Sequence, residues 1–368
     1  MHRGRAYAAG CSHRVEEKPL KRAVQAPAPV PSEYIVSPVY DCAFFLLPPT
    51  FALCLGVLIA DSGFANTDFL FFDNDVTWSG LLIGILIHSH LFAVFFRSHG
   101  NAAIRTLHSY RFLLVPVVLY LAMVSSAWVL ISVSVLATFW DVYHSALQTF
   151  GFARIYDRKT GNGPLVGRRL DWYLNQLLYV GPIFAGATMM DHVEDFLEYE
   201  ELGATFFTSI PGFMATNQGY FTWSILAGGA GFLAYYIWAQ LQLQRQGHDI
   251  SMQKVYLLAS TGAVSIYTWG FNTFGEAFFI MNLFHAVQYF GIVWAFEKKN
   301  LMKLIGVDQL SFGKPLTLAA FLAITGAYGY WVEAIDTGIE ALWAITLVVS
   351  IMHFWYDGFV WSVRKKQV

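Results

Sequence analysis

The sequence predicts an all-α protein, a polytopic transmembrane helix bundle of about ten spans with both termini in the cytoplasm. Of its 368 residues, 56% are hydrophobic and only 13% are charged, whereas a soluble domain carries about 25% charged residues. Apolar runs of about 20 residues, the length that crosses a bilayer, recur along the chain. Lipid is therefore the expected solvent for much of the surface. The formal net charge of -2 gives no indication of a nucleic-acid partner.

The apolar runs place each helix in turn. The expected spans are residues 40–60, 77–97, 110–126, 128–152, 171–190, 219–243, 253–272, 274–297, 314–333 and 338–363. The run from Phe112 to Gly151 is too long for one span, and we divide it near Ser125, Ser126 and Trp128. No internal repeat and no soluble domain is evident.

The charges of the loops predict the orientation. Alternate loops carry Arg and Lys, among them Arg97, Arg154 and Lys254, and the opposite loops are acidic. Residues 1–38 mix Arg, Lys, Pro and Ser without a long apolar run, which predicts a disordered tail. The positive-inside rule places this tail and the basic C-terminus at 364–368 in the cytoplasm. Between them, 39–363 form one transmembrane domain with an outer-face loop at 191–218. The expected location is the bacterial inner (plasma) membrane, which the chain crosses several times.

Four of the predicted helices carry ionisable side chains at one depth, from the midplane into the cytoplasmic half. Charged groups in hydrocarbon are costly, so they mark functional or paired positions. The candidate metal ligands are His88, His90, Asp141, His144, His285, His353 and Asp357. Mutual pairing in a dry interior without a cation satisfies carboxylates poorly, which favours a metal site over a structural polar network.

The spacing of these residues supports a shared cavity. Asp141 and His144 are three residues apart and His353 and Asp357 four apart, so each pair lies on one helical face. Acidic residues and histidines at this spacing build carboxylate and imidazole di-metal sites in helix bundles. His88 and His90 point about 200° apart on a regular helix. One of the two is therefore expected to be a ligand.

Iron, as one or two ions, is the preferred metal, because neutral imidazole with carboxylate and open positions suits oxygen chemistry. Manganese, zinc and a bis-histidine haem b are the alternatives. Zinc would predict hydrolysis by a polarised water. The candidates for orienting the ligands or lining the pocket are Tyr143, Gln148, Gln288 and Tyr356.

Four short segments resemble those of a broad class of membrane enzymes. The segments HSH at 88–90, DVYH at 141–144, HAVQ at 285–288 and HFWYD at 353–357 resemble the integral-membrane, histidine-rich non-haem iron oxidases and oxygenases. Many-spanning bacterial carotene-cleaving oxygenases and the desaturase and hydroxylase group are the comparisons within that class. The resemblance implies a hydrophobic, membrane-derived substrate that reaches an iron centre through the bilayer.

These observations predict an enzyme, a metal-dependent membrane oxidoreductase acting on a lipid- or isoprenoid-like substrate with an electron donor as a further partner. Two other functions use the same residues. One is a transporter coupled to protons or metal ions, and the other is a haem b subunit for electron transfer. The transporter requires polar groups that continue to both membrane faces, and the outer halves of three of the four helices are almost wholly apolar.

Overall fold

The computed structural model describes residues 33–60, 62–72, 74–186, 213, 216–272, 274–335 and 338–361, with the side chains of 274–276 excepted. Within these ranges the protein is all-helical apart from one short β-hairpin. The coarse fold class predicted from the sequence is therefore confirmed. The predicted outer-face loop at 191–218 and the basic C-terminus at 364–368 lie largely or wholly outside the described residues.

In chain order, the helices are α1 (Pro38–Asp41), a π-helix (Cys42–Leu46), α2 (Pro48–Ala60), α3 (Trp78–Ser98), α4 (Ala102–Ser125), α5 (Ala127–Lys159), α6 (Arg168–Tyr179), α7 (Gly181–Ala185), α8 (Gln218–Arg245), α9 (Met252–Phe271), α10 (Phe274–Leu304), α11 (Gly313–Ala334) and α12 (Glu340–Val360).

Six of the described helices are long and apolar enough to cross a membrane: α3, α4, α5, α10, α11 and α12. A seventh candidate is the bent pair Pro38–Leu46 and Pro48–Ala60, which is broken by 49°. Large apolar side chains on α4 face outward, including Leu113 at 75% exposure. Such a surface is expected of a multi-pass membrane protein, whose outer face is solvated by lipid.

The break between the third and fourth predicted spans is confirmed, because α4 ends at Ser125 and α5 begins at Ala127. The predicted span at 171–190 differs from the structure. α6 ends at Tyr179, and α7 begins at Gly181 and has only five residues. Pro182 lies at the start of α7, where its missing N–H removes a helical hydrogen bond across the junction. Neither helix alone has the length of a span.

Two further features were not expected from the sequence. β1 (Asp68–Phe71) and β2 (Asn74–Thr77) pair as an antiparallel hairpin before α3. Residues 33–38 of the predicted tail belong to the described fold, and residues 1–32 lie outside the described residues. Asp41 holds the described part: its buried carboxylate accepts hydrogen bonds from the backbone N–H groups of Ile35 and Val36 and from the Tyr156 hydroxyl.

Small residues let α3 and α11 pack closely. A Cβ atom at Gly329 of α11 would overlap the carbonyl oxygen of Ile85 and the hydroxyl oxygen of Ser89 on α3. Small residues at helix interfaces are typical of membrane bundles, where backbones approach to gain van der Waals contact. This contact fixes the part of α3 that carries the next residue, His90.

Candidate functional site

Four histidines from four helices meet in the interior of the bundle. His90 comes from α3, His144 from α5, His285 from α10 and His353 from α12, and each is at most 4% exposed. Neighbouring rings pack edge to face, with centroid separations of 4.7 Å for His144 and His353, 4.9 Å for His90 and His285, 5.0 Å for His90 and His353 and 5.1 Å for His144 and His285. These four residues are termed the histidine cluster.

The ring nitrogens of the histidine cluster are largely without hydrogen-bond partners. Neither nitrogen of His90 or His285 has a partner, and neither does Nε2 of His353. Nε2 of His144 forms no hydrogen bond and lies 3.6 Å from Oδ2 of Asp357. A buried polar atom left unpaired costs about 1–3 kcal/mol. Such a concentration of unpaired nitrogens therefore needs a physical explanation.

The site contains two groups of potential ligand atoms, and within each group the atoms lie within 4.8 Å of one another. The first group is His90, His285 and His353, and the second is His144, His353 and Asp357. Among the described residues no such group includes His88 or Asp141. The two groups share His353 and together contain the whole histidine cluster.

His353 and Asp357 are held in fixed orientations. Nδ1 of His353 lies 3.1 Å from the carbonyl oxygen of Leu91, which can only accept, so Nδ1 carries the proton and Nε2 presents its lone pair to the cluster. Oδ1 of Asp357 accepts hydrogen bonds from the Tyr289 hydroxyl at 2.8 Å and from the Trp361 indole N–H at 2.9 Å. Oδ2 of Asp357 therefore remains directed at the histidines, 3.9 Å from Nε2 of His353.

His88 and Asp141 lie apart from these groups. Nδ1 of His88 lies 2.8 Å from Oε1 of Glu333 on α11 and 3.0 Å from the carbonyl oxygen of Gly84, and the side chain is 32% exposed. Asp141 is buried and accepts a hydrogen bond from the Asn282 side chain at 3.2 Å. Of the two histidines in the HSH segment, the structure thus brings His90, and not His88, to the cluster.

The four predicted supporting residues divide into two pairs. Gln148 donates to the backbone carbonyl of His285 at 3.1 Å and to the Gln288 side chain at 3.2 Å. Gln288 in turn donates to the carbonyl of Phe45 at 2.8 Å, which ties α10 to the π-helix. Tyr143, in contrast, is 40% exposed, and Tyr356 packs its ring against Phe112 and not against the cluster.

A buried ion pair lies behind Asp357 and supports Trp361. The sequence does not predict this pair. Arg97 of α3 pairs with Glu297 of α10 and donates to the carbonyl of Val360 at 2.9 and 3.1 Å. Its guanidinium lies 3.8 Å from the centre of the Trp361 ring, so it supports the indole that binds Asp357. By sequence Arg97 resembles an ordinary loop cation. Its partner lies 200 residues away along the chain, so the pair leaves no local pattern.

Arg154 and Lys254, which also resemble loop cations in the sequence, are buried as well. Arg154 pairs with Asp157 and with Asp171 of α6, and Lys254 of α9 lies 3.0 Å from Asp157 and 3.4 Å from Asp171. Two cations thus meet two carboxylates, and the Tyr236 hydroxyl donates a further hydrogen bond to Asp171 at 2.7 Å. The network joins α5, α6, α8 and α9, which is a structural role.

A cavity of about 460 Å³ opens beside the histidine cluster. His144, Gln148, Tyr289, Asp357 and Trp361 form part of its lining. Apolar side chains of α5, α10 and α12 supply much of the remaining wall. The volume lies within the range of about 300–1,000 Å³ typical of small-molecule sites.

Comparisons with protein-family models, with curated proteins and with solved structures each find no match to this chain. The geometry of the site is therefore the basis for assigning a function.

Proposed function

We propose that the chain is a membrane metalloenzyme, an oxidoreductase whose histidine cluster and Asp357 bind iron and whose substrate is a hydrophobic, lipid- or isoprenoid-like molecule. The observation that carries this proposal is the meeting of four buried histidines from four helices with most of their ring nitrogens unpaired. A cation bound by either group of ligand atoms would satisfy lone pairs that no donor among the described side chains satisfies. Manganese and zinc accept the same ligand types.

The ligand set favours a single metal ion, which part of the histidine cluster would bind. His353 belongs to both groups of ligand atoms. Because its Nδ1 donates to the carbonyl of Leu91, only Nε2 has a free lone pair, and a single imidazole nitrogen binds one ion. Iron held by imidazole and carboxylate ligands with an open position supplies dioxygen activation. The chain itself orients Asp357 through Tyr289 and Trp361, fixes the tautomer of His353 through Leu91 and provides an apolar cavity next to His144.

Haem b fits the described geometry less well. The imidazole rings contact one another edge to face, which leaves no slot for a porphyrin between any of the neighbouring pairs. A visible spectrum of the purified protein without a Soret band is the expected result.

The metal content of variants tests the proposal. We expect purified protein to contain iron in fixed proportion to the chain, and His353→Ala and His90→Ala to lose most of it. His88→Ala is the matched control, because His88 is on the same helix as His90 but is paired with Glu333. Elemental analysis of the detergent-purified proteins is the measurement. Metal content unchanged in both cluster variants would exclude the assignment.

A second candidate function, proton-coupled transport, draws support from the His88 and Glu333 pair. This pair adds titratable groups outside the histidine cluster, which a through-path would require. The His88→Ala control separates the two functions. Uptake into proteoliposomes that depends on His88, in protein of unchanged metal content, would favour transport.

The proposed enzyme spans the membrane about ten times with both termini in the cytoplasm, in the plasma membrane of a bacterium. α8 and α9 have 28 and 20 residues, enough to cross a bilayer. α8 also exposes large apolar side chains, including Trp223 at 72% and Leu226 at 53%. Together with the bent pair Pro38–Leu46 and Pro48–Ala60, they would add three spans to the six candidates, and the broken pair α6 and α7 would supply the tenth.

A further inference from the structure

The cavity beside the histidine cluster has two chemically different ends. At one end His144 and Asp357 belong to the candidate metal centre. At the other end the lining includes Pro164, Leu165 and Arg168, which lie in the connection to α6 and in its first turn. The cavity thus leads from the interior of the bundle toward the end of the molecule where α5 joins α6.

The wall between these ends follows one face of α5. His144, Gln148, Gly151, Phe152 and Ile155 all line the cavity and recur at helical spacing. At about 1.5 Å per residue, this face is about 16 Å long. Further apolar side chains complete the wall: Leu147, Phe150, Ile292 and Phe354. An elongated apolar chain, rather than a compact polar molecule, suits this surface.

Two arginines line the cavity, and only one of them is already paired with carboxylates. Arg154 is committed to Asp157 and Asp171. Arg168 is exposed, its guanidinium lies 5.5 Å from the centre of the Phe150 ring, and no described carboxylate forms an ion pair with it. An anionic group placed at this end would therefore meet a guanidinium that is free to bind it, in a geometry suited to carboxylate or phosphate.

We propose that the cavity binds a single-chain amphiphile, with its carboxylate or phosphate head at Arg168 and its apolar chain lying along α5 toward His144. This inference rests on the proposed function, because it names the substrate class of the proposed enzyme. It places the hydrocarbon part, and not the head, next to the candidate metal centre.

Photo-crosslinking tests this proposal without any need for metal or turnover. The probe is palmitate with a diazirine near the chain end, applied to the full chain in nanodiscs of neutral lipid, both as purified and after metal removal. We expect mass spectrometry to locate the adduct on the cavity face of α5 or on α12 near Phe354. Adducts found only on outward-facing residues such as Tyr143 would overturn the proposal.

Competition identifies the head group. Unlabelled palmitate or hexadecyl phosphate, whose chains have the same number of carbons, should suppress labelling, whereas palmitamide, which is neutral, should compete about tenfold less well. Preference for palmitate over hexadecyl phosphate would identify the head as a carboxylate, and the reverse preference as a phosphate monoester. Equal competition by palmitamide would overturn the role of charge.

Variants of neighbouring arginines complete the design. Arg168→Gln should weaken probe binding about fivefold to tenfold, and Arg168→Lys should restore part of it. Arg169→Gln is the matched control, since Arg169 is adjacent and exposed but does not line the cavity. Equal effects of Arg168→Gln and Arg169→Gln would contradict the proposal. Because metal content is measured separately, loss of the metal assignment and loss of amphiphile binding are distinguishable.

Discussion

At the residue scale, the most informative feature is how Asp357 is held. One carboxylate oxygen is bound by Tyr289 and Trp361 while the other lies near the nitrogens of His144 and His353. Groups that orient a ligand in this way change metal affinity by about 10–100-fold when they are removed. Tyr289 and Trp361 are therefore positioning residues in the proposed centre.

Tyr289→Phe removes one of these two hydrogen bonds and keeps the ring. We expect metal affinity to fall about tenfold, because Asp357 would retain only the Trp361 bond. Competition dialysis against a chelator measures this change. Tyr328→Phe is the control, since the Tyr328 hydroxyl is buried and has no hydrogen-bond partner. An affinity equal to that of the unmodified chain would show that Tyr289 does not orient a ligand.

At the scale of the elements, close packing of α3 against α11 fixes the rotation of α3. The backbone of Gly329 approaches Ile85 and Ser89 too closely for a side chain. That approach determines which face of α3 points inward, and hence which histidine of the HSH segment enters the cluster.

Gly329→Ala should destabilise the protein by roughly 1–3 kcal/mol, because the added methyl forces the two helices apart. Gly326→Ala, at a position of α11 where a Cβ atom would have nothing within 4 Å, is the matched control. It should be neutral or slightly stabilising, since alanine favours helix. Thermal unfolding in detergent compares the two variants. Equal unfolding temperatures would show that the contact is not tight.

At the scale of the whole molecule, the number of spans determines on which sides the termini lie. α6 and α7 separate at Val180, and the described part of the chain is interrupted after residue 186, before the acidic segment. Three cations that contribute to the loop pattern, Arg97, Arg154 and Lys254, are buried in ion pairs. The orientation therefore depends on the remaining exposed Arg and Lys residues.

Reporter fusions test the topology. We expect a cytoplasm-active fluorescent reporter to be active at both termini, and a periplasm-active phosphatase to be inactive at both. The same phosphatase inserted after Glu200 should be active, because the acidic segment is predicted to lie on the outer face. Opposite results at the two termini would mean an odd number of spans and would contradict the predicted count of ten.

Composition and the length of the apolar runs were enough to establish the membrane class, the approximate positions of the helices and the set of candidates from which the cluster is drawn. These are local properties of the chain, so no knowledge of its neighbours in space is required. Equal depth of the histidines along four helices was also readable, because depth depends only on position within each run.

Only the tertiary structure shows which of these candidate residues lie close together. His90 enters the cluster while His88 pairs with Glu333, and Asp141 binds Asn282 instead of joining the groups of ligand atoms. The bundle likewise revealed Tyr289, Trp361 and the buried ion pairs. The physical reason is that sequence gives a residue's height along its helix, whereas the rotation of that helix and its neighbours are set by packing between segments distant in the chain.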